Sequence, residues 1–122
     1  MPQTILVIED NRDNFEMVRF LLEQEGFAVL GAYDGREGLS KAQTENPALI
    51  LLDLTLPEID GWTLAAQLKT DPLTQAIPIL ALTAHALPGD RKKAMDAGCD
   101  GYITKPLDLK EFIVLIKQTL SK

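Results

Sequence analysis

The six residues ALILLD, at positions 48–53, place a carboxylate directly after an unbroken apolar run. A strand with one face in water alternates apolar and polar side chains, whereas a strand of a parallel sheet is covered on both faces and is apolar throughout. The run is far too short to cross a membrane, which needs about 20 apolar residues. We therefore interpret 48–52 as a buried strand of a parallel sheet, with Asp53 at its carboxyl end.

Similar apolar runs recur along the chain, with helix-like stretches between them. The other runs are 5–8, 27–32, 77–82 and 102–103. Phe15, Val18 and Leu22 have the three- and four-residue spacing of a helix with one buried face. Asp34 and Asp108, each followed by Glu three residues later, have the spacing of a capping box at the start of a helix. Strand and helix thus alternate five times, which predicts a doubly wound α/β fold with a parallel sheet and helices on both faces.

Length and composition favour one ordinary domain. The chain has 122 residues, of which 46% are hydrophobic and 25% are charged, and a chain of this length buries roughly two-thirds of its unfolded surface. Its one cysteine, Cys99, excludes an intramolecular disulfide and is expected to pack in the interior, which fits a reducing cytoplasm. The net charge of −6 argues against direct binding to nucleic acid, because phosphate contacts need clustered positive charge. We expect a single cytoplasmic domain over 1–122, with no output domain and no membrane association.

Polar side chains follow the predicted strands at their carboxyl ends. They are Glu9 and Asp10 after the first run, Asp53 after the third, Thr83 after the fourth and Lys105 after the fifth. Ligands of doubly wound sheets bind beyond these strand ends. If the first and third strands are neighbours, three carboxylates converge, and at about 5 Å each pair repels by roughly 3 kcal/mol. A hard cation such as Mg²⁺ would offset this repulsion, and the lysine could hold a phosphoryl oxygen.

Each of these residues also has a purely structural explanation. Glu9 and Asp10 could cap the first helix, Asp53 could begin a loop, and Lys105 could be a solvated surface amine. Because all of them fall at strand ends and their chemistry is complementary, the set favours a functional site.

Four segments together resemble the receiver domain of two-component response regulators. They are VIEDN at 7–11, LLDLTLPEIDG at 51–61, ALTA at 81–84 and GYITKP at 101–106. The resemblance, to a chemotaxis-regulator-like receiver domain, extends from Thr4 to Leu120. Within the receivers it is closest to the stand-alone, single-domain, cell-cycle-regulator type. It implies a flavodoxin-like (βα)5 fold whose five parallel strands are ordered 2-1-3-4-5.

The resemblance also implies the chemistry of the polar residues. Asp53 would accept a phosphoryl group from a sensor histidine kinase or a histidine phosphotransfer protein. Mg²⁺ would be held by Asp10, Asp53 and the backbone carbonyl of Thr55, while Glu9 would act through a water molecule. Thr55 and His85 would tune the loss of the phosphoryl group.

The same resemblance implies how a signal would leave the site. Thr83 and Lys105 would contact the phosphoryl oxygens, and Tyr102 would be an aromatic switch. A downstream target protein would bind the altered face formed by 86–97, the fifth strand and 108–120, within residues 86–120.

Two other classes of function share part of this pattern. Aspartyl-phosphate phosphatases use the same nucleophile but place a second acid two residues after it, where this chain has Thr55. A flavodoxin-like cofactor binder needs a hydroxyl- or glycine-rich phosphate loop after the first strand, whereas residues 9–13 are acidic. We therefore predict a phosphorylation switch that catalyses at most its own phosphorylation and dephosphorylation.

Overall fold

The computed structural model describes residues 3–53, 61–83, 90–104 and 108–121. Strands and helices alternate along these residues, as the sequence predicts. The strands are β1 (Thr4–Ile8), β2 (Ala28–Ala32), β3 (Leu49–Asp53), β4 (Ile79–Thr83) and β5 (Gly101–Thr104). The helices are α1 (Arg12–Gln24), α2 (Gly35–Glu45), α3 (Gly61–Thr70), α4 (Asp90–Asp96) and α5 (Leu109–Leu120).

All five strands form one parallel sheet in the order β2-β1-β3-β4-β5. The predicted fold class and strand order are therefore confirmed. Ile8 at the end of β1 pairs with Leu52 of β3, and Asp53 pairs with Leu82 of β4. Because β1 and β3 are neighbours in this register, the residues that follow them emerge side by side at one edge.

The apolar core lies in two layers, one on each face of the sheet. Ile50 and Leu52 belong to the layer packed by α2 and α3. Leu49 and Leu51 belong to the layer packed by α1 and α5. Successive side chains of a strand point to opposite faces, so β3 must be apolar at each of these positions.

The end of α1 determines where β2 begins. The backbone N–H of Phe27 donates to the carbonyl of Leu22, and Gly26 has a left-handed φ of 90°. This closing turn is a common way to end a helix, and glycine adopts its conformation without strain. Phe27 therefore completes the helix end, and β2 begins one residue later than the apolar run.

Two helices begin with the aspartates that the sequence singles out. Asp34 accepts a hydrogen bond from the N–H of Glu37 at 2.7 Å, and Asp108 accepts one from the N–H of Glu111 at 3.1 Å. In α2 the Glu37 carboxylate reaches back to the N–H of Tyr33 at 2.7 Å. Both aspartates are N-caps, as predicted.

A lysine of α2 covers part of the edge strand β2. The carbonyl of Ala32 faces β1 and accepts the N–H of Glu9. Because successive carbonyls of a strand point in opposite directions, the carbonyl of Gly31 faces away from β1. The ammonium of Lys41 donates to the Gly31 carbonyl and lies 3.9 Å from a carboxylate oxygen of Glu37. The outward carbonyl at this position is therefore already hydrogen-bonded within the chain.

A second lysine joins elements near the amino-terminal ends of β4 and β5. The ammonium of Lys69, on α3, donates to the carbonyl of Ile77 at 2.8 Å and lies 3.1 Å from the Asp100 carboxylate. The same carboxylate oxygen accepts the N–H of Ile79 at 2.8 Å. This arrangement holds the end of α3 against the start of β4.

Candidate functional site

Three carboxylates meet where β1 and β3 end. Glu9, Asp10 and Asp53 each offer one oxygen atom, and these atoms all lie within 4.8 Å of one another. Glu9 and Asp53 are buried, with 2% and 1% of their surface exposed, whereas Asp10 is exposed. The convergence predicted from the sequence is therefore present in the structure.

The donor set fits a hard divalent cation. Carboxylate oxygens are the ligands that Mg²⁺ prefers, and Mg²⁺ commonly keeps several of its waters when it binds to a protein. Glu9 and Asp53 form the buried side of the cluster, and the exposed Asp10 forms the side that faces solvent. Without a cation, the close approach of like charges is unfavourable.

The turn between β1 and α1 positions two of the carboxylates. The backbone N–H of Glu9 donates to the carbonyl of Ala32 at 2.9 Å. Its carboxylate accepts the N–H of Asn11 at 3.3 Å. Glu9 is thus held through its backbone by β2 and through its side chain by the beginning of α1.

Asn11 is the N-cap of α1. Its side-chain oxygen accepts the N–H of Asn14 at 2.9 Å. The structural alternative in which Glu9 or Asp10 is the N-cap of this helix is therefore wrong. The residue type alone could have indicated Asn11 as the N-cap, because asparagine is among the preferred N-cap residues.

Other predicted site residues are only partly within the described chain. The backbone of Thr83 ends β4, where it pairs with Thr104 of β5. Tyr102 pairs with Ala81, is half-buried against the α2–α3 layer, and has a hydroxyl oxygen shielded from solvent. The residues that lie outside the described chain are Thr55, His85 and Lys105, and the Thr83 side chain is not described either.

The one cysteine lies away from the carboxylate cluster, just before β5. Cys99 is 3% exposed, and burial raises the pKa of its thiol to about 11, with the Asp100 carboxylate adding to the rise and the Lys69 ammonium opposing it. A thiol that stays protonated is a poor nucleophile. The structure therefore agrees with the prediction that Cys99 packs in the interior.

Comparison with known sequences agrees with this geometry. A family model described as the response regulator receiver domain matches residues 5–117. The polar-differentiation response regulator DivK of Brucella anthropi is 38% identical over 120 residues, which are 98% of this chain and 98% of that protein.

Solved structures share the fold over nearly the whole chain. A CheY-like response regulator receiver domain protein from Methanospirillum hungatei JF-1 has a TM-score of 0.92 and 28% identity, covering 99% of this chain and 95% of that chain. The receiver domain of a sensor histidine kinase from Pseudomonas aeruginosa PAO1, solved with a magnesium ion coordinated in the active site cleft, has a TM-score of 0.92 and 30% identity, covering 100% of both chains. Separately, no helix in the described parts of this chain is long and apolar enough to span a bilayer.

Proposed function

Because the chain belongs to the response regulator receiver domain family, we propose that it is a phosphorylation switch whose phosphoacceptor is Asp53. The donor is a sensor histidine kinase or a histidine phosphotransfer protein, and the reaction uses Mg²⁺. The observation that carries this proposal is the meeting of Glu9, Asp10 and Asp53 within 4.8 Å at the carboxyl edge of the sheet. The receiver domain acts in the cytoplasm and signals by protein contact.

The acceptor role suits the position of Asp53. Asp53 is the last residue of the central strand β3, and 1% of the residue is exposed. Phosphoryl transfer depends mainly on in-line positioning and on neutralising oxygen charge. Bound Mg²⁺ supplies part of that neutralisation. By the family resemblance, Asp10, Asp53 and the Thr55 carbonyl would hold the ion, Glu9 would act through a water molecule, and Thr55 and His85 would tune dephosphorylation.

The output depends on what the new phosphoryl group attracts. Phosphorylation replaces one negative charge with about two and adds three acceptor oxygens. Lys105 and the Thr83 hydroxyl contact these oxygens, and the inward motion of Thr83 lets Tyr102 rotate at the end of the sheet. The surface within residues 86–120 then changes shape and binds the target.

The acceptor assignment is tested by labelling with a small-molecule phosphodonor such as phosphoramidate, with Mg²⁺ present. Intact-mass measurement should find one phosphoryl group on the wild-type chain, none after chelation of Mg²⁺ and none on Asp53→Asn. Asp13→Asn is the matched control, because Asp13 is a nearby carboxylate in the first turn of α1 outside the cluster. Equal labelling of Asp53→Asn and wild type would show that the acceptor lies elsewhere.

The output pathway is tested separately. Thr83→Ala and Tyr102→Ala should both accept phosphate yet lose most of the gain in affinity for the target. A differential contact worth ~2 kcal/mol shifts a two-state population about thirtyfold, so titrations of phosphorylated and unphosphorylated variants resolve the effect. Phosphorylation-dependent affinity that survives both substitutions would mean that the signal leaves through another face.

A further inference from the structure

The position of Asp10 depends on the residues on either side of it in the turn between β1 and α1. Asp10 is exposed. Within the described parts of the chain, its side chain makes no hydrogen bond or ion pair, whereas the side chains of Glu9 and Asn11 each accept a hydrogen bond. Its position therefore depends on the backbone of the residues on either side. The backbone N–H of Glu9 donates to the Ala32 carbonyl of β2 at 2.9 Å. The residue before Asp10 is therefore held by the sheet.

The following side of Asp10 is fixed by Asn11 in three ways. The Asn11 N–H donates to the Glu9 carboxylate at 3.3 Å, its side-chain oxygen accepts the N–H of Asn14 at 2.9 Å, and its carbonyl accepts the N–H of Phe15 at 2.9 Å. Phe15 is buried in the core. Asn11 therefore ties the turn to a helix that is itself anchored in the α1–α5 layer.

We propose that Asn11 is a positioning residue for Mg²⁺, because its cap on α1 holds Asp10 in place beside Glu9 and Asp53. The identity of the ion rests on the proposed function; the positioning role rests on the hydrogen bonds of this turn. The first N–H groups of a helix have no partner within the helix, so loss of the cap loosens the first turn. A loosened turn must be reordered when the ion binds, and the affinity falls.

A merely structural cap makes a different prediction. If Asn11 only stabilises α1, its replacement lowers the free energy of unfolding by the same amount with and without Mg²⁺. The affinity for the ion then stays unchanged. The quantity that separates the two roles is the dissociation constant for Mg²⁺, measured on folded protein.

The experiment is calorimetric titration of metal-free protein with Mg²⁺. Asn11→Ala should weaken binding about fivefold, the effect expected when a cap of ordinary strength is lost. Asn11→Ser restores a good capping side chain and should bind within twofold of wild type. Thr74→Val is the matched control, because it removes a buried hydrogen bond to the Leu68 carbonyl without changing charge; it should lower thermal stability and leave the Mg²⁺ affinity within twofold.

Each outcome is informative. Wild-type affinity in Asn11→Ala, or equal weakening in Thr74→Val, overturns the positioning role while leaving the metal site intact. A wild-type protein that takes up no Mg²⁺ overturns the metal assignment together with this inference. Hydrogen exchange in metal-free protein adds a second measurement: the Asn14 and Phe15 amides should exchange faster in Asn11→Ala and normally in Asn11→Ser, and unchanged exchange would also refute the role.

Discussion

Replacing Asp10 with Asn should stabilise the metal-free protein. The three cluster oxygens lie within 4.8 Å of one another, a separation at which each pair of charges repels by roughly 3 kcal/mol at an effective dielectric of 20. Asp10 is exposed, so solvent screens its share, and we expect relief of about 1 kcal/mol. In a domain of this length, that corresponds to a rise of about 4 °C in Tm.

When Mg²⁺ is present, Asp10→Asn should be less stable than wild type. An ion that binds only the folded state stabilises it by RT ln(1 + [L]/Kd), which is about 1.4 kcal/mol at ten times Kd. Wild type should gain this stability, whereas Asp10→Asn has lost one of the three carboxylates of the cluster and should gain little. Thermal melts in chelator and in excess Mg²⁺ should therefore place the variant above wild type in the first buffer and below it in the second.

Asp13→Asn provides the control for this experiment. Asp13 lies in the first turn of α1, where a negative charge interacts favourably with the helix dipole by about 0.3–1 kcal/mol. Its removal should lower Tm slightly in both buffers. If Asp10→Asn also lowers the metal-free Tm, the repulsion among the carboxylates does not dominate, and the reasoning about the cluster is wrong.

Three further predictions concern a packing contact, an ion pair and the cysteine. In Gly38→Ala, the new Cβ would lie 2.5 Å from Cδ1 of Ile8; urea unfolding should show a loss of about 1–3 kcal/mol, partly restored by Ile8→Val, and an unaltered midpoint would contradict the packing. Lys69→Met removes the ammonium 3.1 Å from Asp100 and should cost about 1–3 kcal/mol, less in an Asp100→Asn background; equal costs in both backgrounds would exclude coupling. The Cys99 thiol, whose pKa is raised to about 11, should react with a disulfide reagent at pH 8 at least a hundredfold more slowly in folded protein than in urea, and comparable rates would show that the thiol is accessible.

The sheet and the meeting of carboxylates at the carboxyl ends of its strands were predictable because their signals are local. Residues 49–52 are apolar at every position, and the structure buries all of them because both faces of β3 are covered. Once strands are recognised as parallel, their carboxyl ends share an edge. The meeting of Glu9, Asp10 and Asp53 then follows from where each strand stops.

Element boundaries were less predictable, because hydropathy does not distinguish a strand from a buried turn. Ile77 is 5% exposed and belongs to an apolar run, yet β4 begins at Ile79. The N–H of Ile77 donates to the Thr74 carbonyl, so this residue closes the turn after α3. Its burial reflects the core beneath that turn.

Pairings between distant residues were not predictable from spacing. Lys69 and Asp100 come together because α3 and the start of β5 meet at one edge of the sheet, and either residue alone reads as an ordinary surface charge. The choice of Asn11 over its acidic neighbours as N-cap depends in the same way on backbone direction. Asn11 has the extended φ and ψ of a cap, −88° and 116°, which the letters of the sequence do not reveal.

The hydrogen bond between Lys41 and the Gly31 carbonyl affects whether copies of the protein can aggregate through the edge of the sheet. An edge strand is a template on which a foreign strand can add, and such additions lead to polymerisation. To dock beside β2, an incoming backbone must displace a charged ammonium from the carbonyl that it needs, and it gains no stronger partner in exchange. The charged hydrogen bond therefore disfavours the addition of a foreign strand at this position of β2.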